Sequence, residues 1–119
     1  MTTVVELLVE HARSVLSDHR VPGWPRATAV LLRQALEAAI DEVWRATAPA
    51  MVDTSWRSKL VALVGYIPED LALETNSLWS TLSGACHVHE YDLAPTTAEL
   101  QGLLETTRQI TTQLAADPP

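Results

Sequence analysis

The 119-residue chain has no phenylalanine, a single cysteine, and one lysine against seven arginines. With Cys86 alone, no intrachain disulfide can form, so the fold must stand on its core, and a reducing compartment such as the cytoplasm is expected. The arginine bias and the missing phenylalanine suggest a GC-rich bacterial genome. No basic residue precedes the apolar stretch of Met1 to Glu10, which carries Glu6 and Glu10, so a signal peptide is not expected, nor is any membrane association. Sustained period-two alternation is also missing, which excludes a sheet. There is neither an internal repeat nor a low-complexity linker.

What is present suits one compact domain over residues 1–119, with a frayed tail at 115–119. Apolar residues make up 47% of the chain and charged ones 19%, enough for a core without staples. Charge is unevenly placed. Residues 1–59 hold seven basic and seven acidic side chains, whereas residues 60–119 hold Arg108 against eight acids, so the net charge of −7 lies in the second half. A phosphate backbone is bound chiefly through Lys and Arg, so RNA is not favoured by this balance. It would need a basic strip from the first half, such as Arg13, Arg20, Arg26, Arg57 and Lys59.

Helical periodicity runs throughout. Thr3 and Glu6 have capping-box spacing, and Val4, Leu7, Leu8, Ala12, Val15 and Leu16 mark the core face of a first helix ending near Asp18. Pro22 and Gly23 turn the chain, and Pro25 suits a first helical position. From Pro25 to Thr47 no breaker occurs, which predicts a helix of about 34 Å with its apolar face at Ala29, Leu32, Leu36, Ala39, Ile40 and Val43. Arg33/Glu37 and Asp41/Arg45 are spaced as intrahelical ion pairs. Asp53 or Thr54 can cap a third helix with Trp56, Leu60, Leu63, Val64 and Ile67, and Pro68 opens a fourth with Leu71, Leu78 and Leu82. Thr96 and Glu99 repeat the capping box ahead of a fifth, with Leu100, Leu103, Leu104, Ile110 and Leu114. Short connections make successive helices antiparallel neighbours, so the expected fold is an all-α, four- to five-helix antiparallel up-and-down bundle.

The densest run of reactive side chains is Cys86-His87-Val88-His89-Glu90-Tyr91-Asp92, where the fourth helix gives way to Pro95. As packing residues, Cys86 would fill a core position, His89 would bond a carbonyl and Tyr91 would pin the turn. As zinc ligands, His87 and His89 diverge by about 200° on a helix, and His11 and His19 are eight residues apart, a spacing unsuited to recruitment; no metal and no cofactor is expected. Read with the helices before it and Leu93-Ala94-Pro95-Thr96 after it, the run resembles the C-terminal part of HEPN domains. These are small helical bundles of prokaryotic toxin-antitoxin, defence and nucleotide-linked regulatory systems. Many carry an arginine, four to six residues, then a histidine, and a subset adds a tyrosine two places on. His89 and Tyr91 match the histidine and tyrosine. Leu82, Ser83 and Gly84 stand where the arginine would be.

The resemblance implies a homodimer whose cleft cuts RNA without a metal, a histidine near neutrality moving the 2′-hydroxyl proton and a guanidinium stabilising the phosphate. Loss of such a cation costs about 2–4 kcal/mol in the barrier. The expectation is therefore a dimerising or partner-binding HEPN-like module with weak or lost ribonuclease activity. The alternative is an endoribonuclease using His89, with Tyr91 and His87 beside it and Arg57 or Lys59 lent by a symmetric partner. Trp44, Trp56 and Trp79 read as core residues, whereas Trp24, between Gly23 and Pro25, reads as an exposed anchor for a protein partner.

Overall fold

The computed structural model describes residues 2–87 and 93–116. Its elements are five α-helices: α1 (Val4–Ser17), α2 (Trp24–Thr47), α3 (Trp56–Ala62), α4 (Glu69–Cys86) and α5 (Thr97–Ala115). Short 3₁₀ turns at Pro49–Asp53 and Leu63–Gly65 flank α3. Among the described residues there is no strand, and the chain is an all-α helical bundle.

Local chemistry sets the helix ends. Thr3 Oγ1 accepts the Glu6 N–H at 3.1 Å at the start of α1. Gly23, at φ 69°, takes the left-handed conformation that turns the chain into α2, a place where a Cβ would be strained. The α3 cap is Ser55, whose Oγ accepts the Ser58 N–H; neither Asp53 nor Thr54 serves, because Asp53 lies in the 3₁₀ turn and the Thr54 hydroxyl is bonded back to Met51 O. At α5 both halves of the capping box form, Thr96 Oγ1 with Glu99 N at 3.1 Å and Glu99 Oε1 with Thr96 N at 3.3 Å.

Helix α2 is the spine. It packs against α1, α4 and α5 and buries Ala29, Leu32, Leu36, Ala39, Ile40, Val43 and Trp44. Leu71, Leu78 and Leu82 of α4 and Leu100, Leu104, Ile110 and Leu114 of α5 close over it. Trp44 is wholly buried with Tyr66 edge-on at 4.8 Å, while Trp56 and Trp79 are half-buried against the core.

The first helix departs from expectation. Its core stripe is Val5, Val9, Ala12 and Leu16, and Val4 and Leu7 are 65% and 58% exposed. Ten apolar residues in fourteen are more than one contact stripe can use, so a second apolar stripe is left outside. Val64 likewise faces solvent, because the 3₁₀ turn at Leu63–Gly65 rotates it away from Leu60.

Candidate functional site

His89 and Tyr91 lie outside the described residues. Their neighbour His87 follows α4 as an exposed cap residue, its N–H donating to Gly84 O at 3.2 Å. Cys86, one residue earlier, is 2% exposed, and burial pushes its thiol above the usual range; Arg33 and Arg26 oppose that shift, and Glu37 adds to it. The protein surface that leads into the Cys86–Tyr91 segment is therefore built by α4 against the first half of α2.

The register of that contact follows from two anchors. Trp79 Nε1 donates to Glu37 Oε2 at 3.0 Å, tying the middle of α4 to the middle of α2. At one end, α3 bridges the two helices: Lys59 Nζ lies 2.9 Å from Asp41 Oδ1, and Asn76 Nδ2 donates to Leu60 O at 3.1 Å. At the other end, Arg26 and Arg33 act on Cys86. Asp41 thus lies beyond Glu37 on the side where Asn76 precedes Trp79, and the C-terminal end of α4 runs beside the N-terminal half of α2. The two helices are antiparallel. Arg33, Glu37 and Asp41, spaced at four residues, form a half-buried polar stripe along this seam.

The stripe corrects the expected intrahelical pairs. Glu37 serves Trp79 and Asp41 serves Lys59, while Arg45 pairs with Glu42 at 2.6 Å. Tertiary partners reach the half-buried carboxylates first, and Arg45, on the exposed side of α2, takes the neighbour that shares that side. Arg33 Nε and Ser83 Oγ are buried polar atoms without a hydrogen-bond partner among the described residues.

The cations named from the sequence separate. Arg57 is exposed on α3, free to meet a partner or a phosphate. Lys59 is 5% exposed, held between the Asp41 carboxylate and the Trp56 ring, whose centroid is 4.1 Å from Nζ, so its charge is spent inside the fold. Trp24 is half-buried, and the exposed His19 ring stacks on it at 3.8 Å and 5°. Among the described residues no group of three or more His, Cys, Asp or Glu could hold a metal, and no helix is long and apolar enough to cross a membrane.

A second surface was not anticipated. Between α1 and α2 runs a shallow apolar groove of 560 Å³ lined by His11, Val15, Val21, Arg26, Val30 and Leu31, among others, continuous along α1 with the outer stripe of Val4 and Leu7. The signal for it was the surplus of apolar positions on α1. No family model, curated protein or solved structure matches the chain.

Proposed function

We propose that this is a HEPN-like helical domain that acts as a dimerising or partner-binding module in a prokaryotic toxin-antitoxin, defence or regulatory system, with ribonuclease activity weak or lost. The observation that carries the reading is the outer apolar stripe of α1 and the groove beside it. Val4, Leu7 and Val21 are exposed and Val15, Val30 and Leu31 half-covered, on a face that no element among the described residues packs over. A contiguous apolar face of this kind marks an interaction surface, and a second copy of the chain joined about a twofold axis is the commonest way to cover one. The rim supplies specificity: Glu6, Glu10 and Arg13 flank the α1 stripe, and Arg26 the groove.

Weak catalysis follows from the departure at Leu82, Ser83 and Gly84. The α4 turn before His87 offers hydroxyl and glycine where a cation would stabilise a phosphorane, and Lys59 is unavailable to substitute. The test is the solution mass of the protein beside Leu7→Glu and Leu31→Glu. A dimer that both substitutions convert to monomer is expected; a wild type that stays monomeric at high concentration overturns the dimer. RNA incubated with wild type and with His89→Ala should remain intact in both. Cleavage by wild type that the substitution abolishes would establish the metal-independent endoribonuclease instead.

A further inference from the structure

We infer that Arg33 and Ser83, with Arg26 at the rim, form an oxyanion site in the α2–α4 seam that takes the phosphate group of a small ligand. The inference is independent of dimerisation, since all three residues come from one chain. One turn from the Trp79–Glu37 bond, toward the start of α2, stands Arg33; one turn from it, toward the end of α4, stands Ser83. Because the helices are antiparallel, these two positions oppose each other. Arg33 Nε and Ser83 Oγ are both buried and both without a partner among the described residues. Native proteins rarely leave two such atoms facing one another unless a water, an ion or a ligand joins them.

Ser83 is the more informative of the pair. Hydroxyls within the helices of this chain habitually bond the carbonyl four residues back: Thr28 to Trp24, Thr47 to Val43, Thr75 to Leu71, Thr81 to Ser77, Thr107 to Leu103 and Thr111 to Thr107. The same bond from Ser83 to Trp79 is not made. Its hydroxyl is left to face the seam, where a single acceptor could take both it and the guanidinium edge.

The charges present fix the ligand class. Arg26 and Arg33 contribute two positive charges, and Glu37 one negative charge whose Oε2 is already held by the indole. The N-terminal end of α2 has no acidic residue in its first turn, so its half-positive charge is uncompensated and cancels the opposite end of α4 nearby. The net is a positive, donor-rich notch in an acidic protein. A guanidinium presents its Nε–H and an Nη–H as a fork that fits two oxygens of a tetrahedral oxyanion, and Ser83 supplies a third donor. Arg33 and Ser83 are half-buried and Arg26 exposed, so the notch opens at the edge of the seam.

The experiment titrates the protein with inorganic phosphate, and in a parallel arm with adenosine monophosphate, at constant ionic strength set by chloride. The readouts are the Arg33 Nε–H and the Ser83 and Cys86 amide resonances. Saturable shifts confined to these groups are expected, with affinity about tenfold weaker in Arg33→Gln and about threefold weaker in Ser83→Ala and in Arg26→Gln. Arg26 is exposed, so its variant folds whether or not Arg33→Gln does. Equal affinity in the two arms assigns free phosphate, and tighter nucleotide binding assigns a phosphomonoester; each supports the site. The absence of saturable shifts in both arms, or affinities unchanged in the Arg26 and Ser83 variants, overturns it.

Discussion

Asp41 and Lys59 form a buried ion pair whose two halves should be unequal, and the inequality can be measured. Lys59 is 5% exposed, with only Trp56 and Asp41 near its ammonium, whereas the Asp41 side chain keeps 18% of its surface in water. Asp41→Asn leaves a nearly fully buried cation with the ring face as its remaining charge partner. Breaking a buried pair in this way costs about 3–5 kcal/mol, and the ring and the amide that replaces the carboxylate place this case near the lower figure, about 3 kcal/mol. Lys59→Met keeps the stem volume and leaves an Asp41 that already touches water, so about 1–2 kcal/mol is expected. For a domain of this length about 4 °C accompanies each kcal/mol, giving melting points lower by about 12 °C and about 6 °C. Joined with Leu at 41, Lys59→Met should return to within about 1 kcal/mol of wild type, because neither charge remains to be desolvated. Urea unfolding of the four proteins closes the cycle. If Asp41→Asn costs less than about 1 kcal/mol, the pair behaves as a surface pair and the reasoning from burial fails.

Two further outcomes follow from local geometry. Thr96→Ala removes one half of the α5 capping box and should lower stability by about 1 kcal/mol in the same unfolding assay, with no change in denaturant slope. Cys86 should resist thiol reagents in the native state, and its burial carries a pH signature. The folded thiol ionises above the range of the unfolded one, so the unfolded chain gains charge first, and stability is lost as pH rises through the unfolded value toward the folded one. Wild type should therefore lose more stability above about pH 9 than Cys86→Ala does, as thermal melts across that range would read.

Much of the fold was legible because helices announce themselves locally. The α2 segment has no breaker, and its six named core positions are all buried. Both proline-led starts and the Thr96–Glu99 box lie within four residues of the ends they set. The outer stripe of α1 was harder to read. Val4 and Leu7 satisfy the same spacing rule as Val5 and Val9, and only the angle at which α2 approaches decides which stripe goes inside. The seam was harder still. Arg33/Glu37 at four residues is the pattern of an exposed helix pair, and the indole that displaces it stands 42 residues away. Lys59 looked like a surface cation because lysine usually is one; its partner sits on another helix. The histidine and tyrosine that carry the family resemblance fall outside the described residues, so their expected roles rest on sequence alone.

The position of α2 also determines how the molecule comes apart. Every long helix leans on it, so its central amides have no partial opening available and should exchange with solvent only when the whole chain unfolds. Helix α3 is seven residues long, is flanked by 3₁₀ turns, and is moored by Lys59, Leu60 and Leu63. It can lift away while the other four helices stay packed, which would make the Asp41–Lys59 contact a latch on the first cooperative unit to open rather than a rivet in the last.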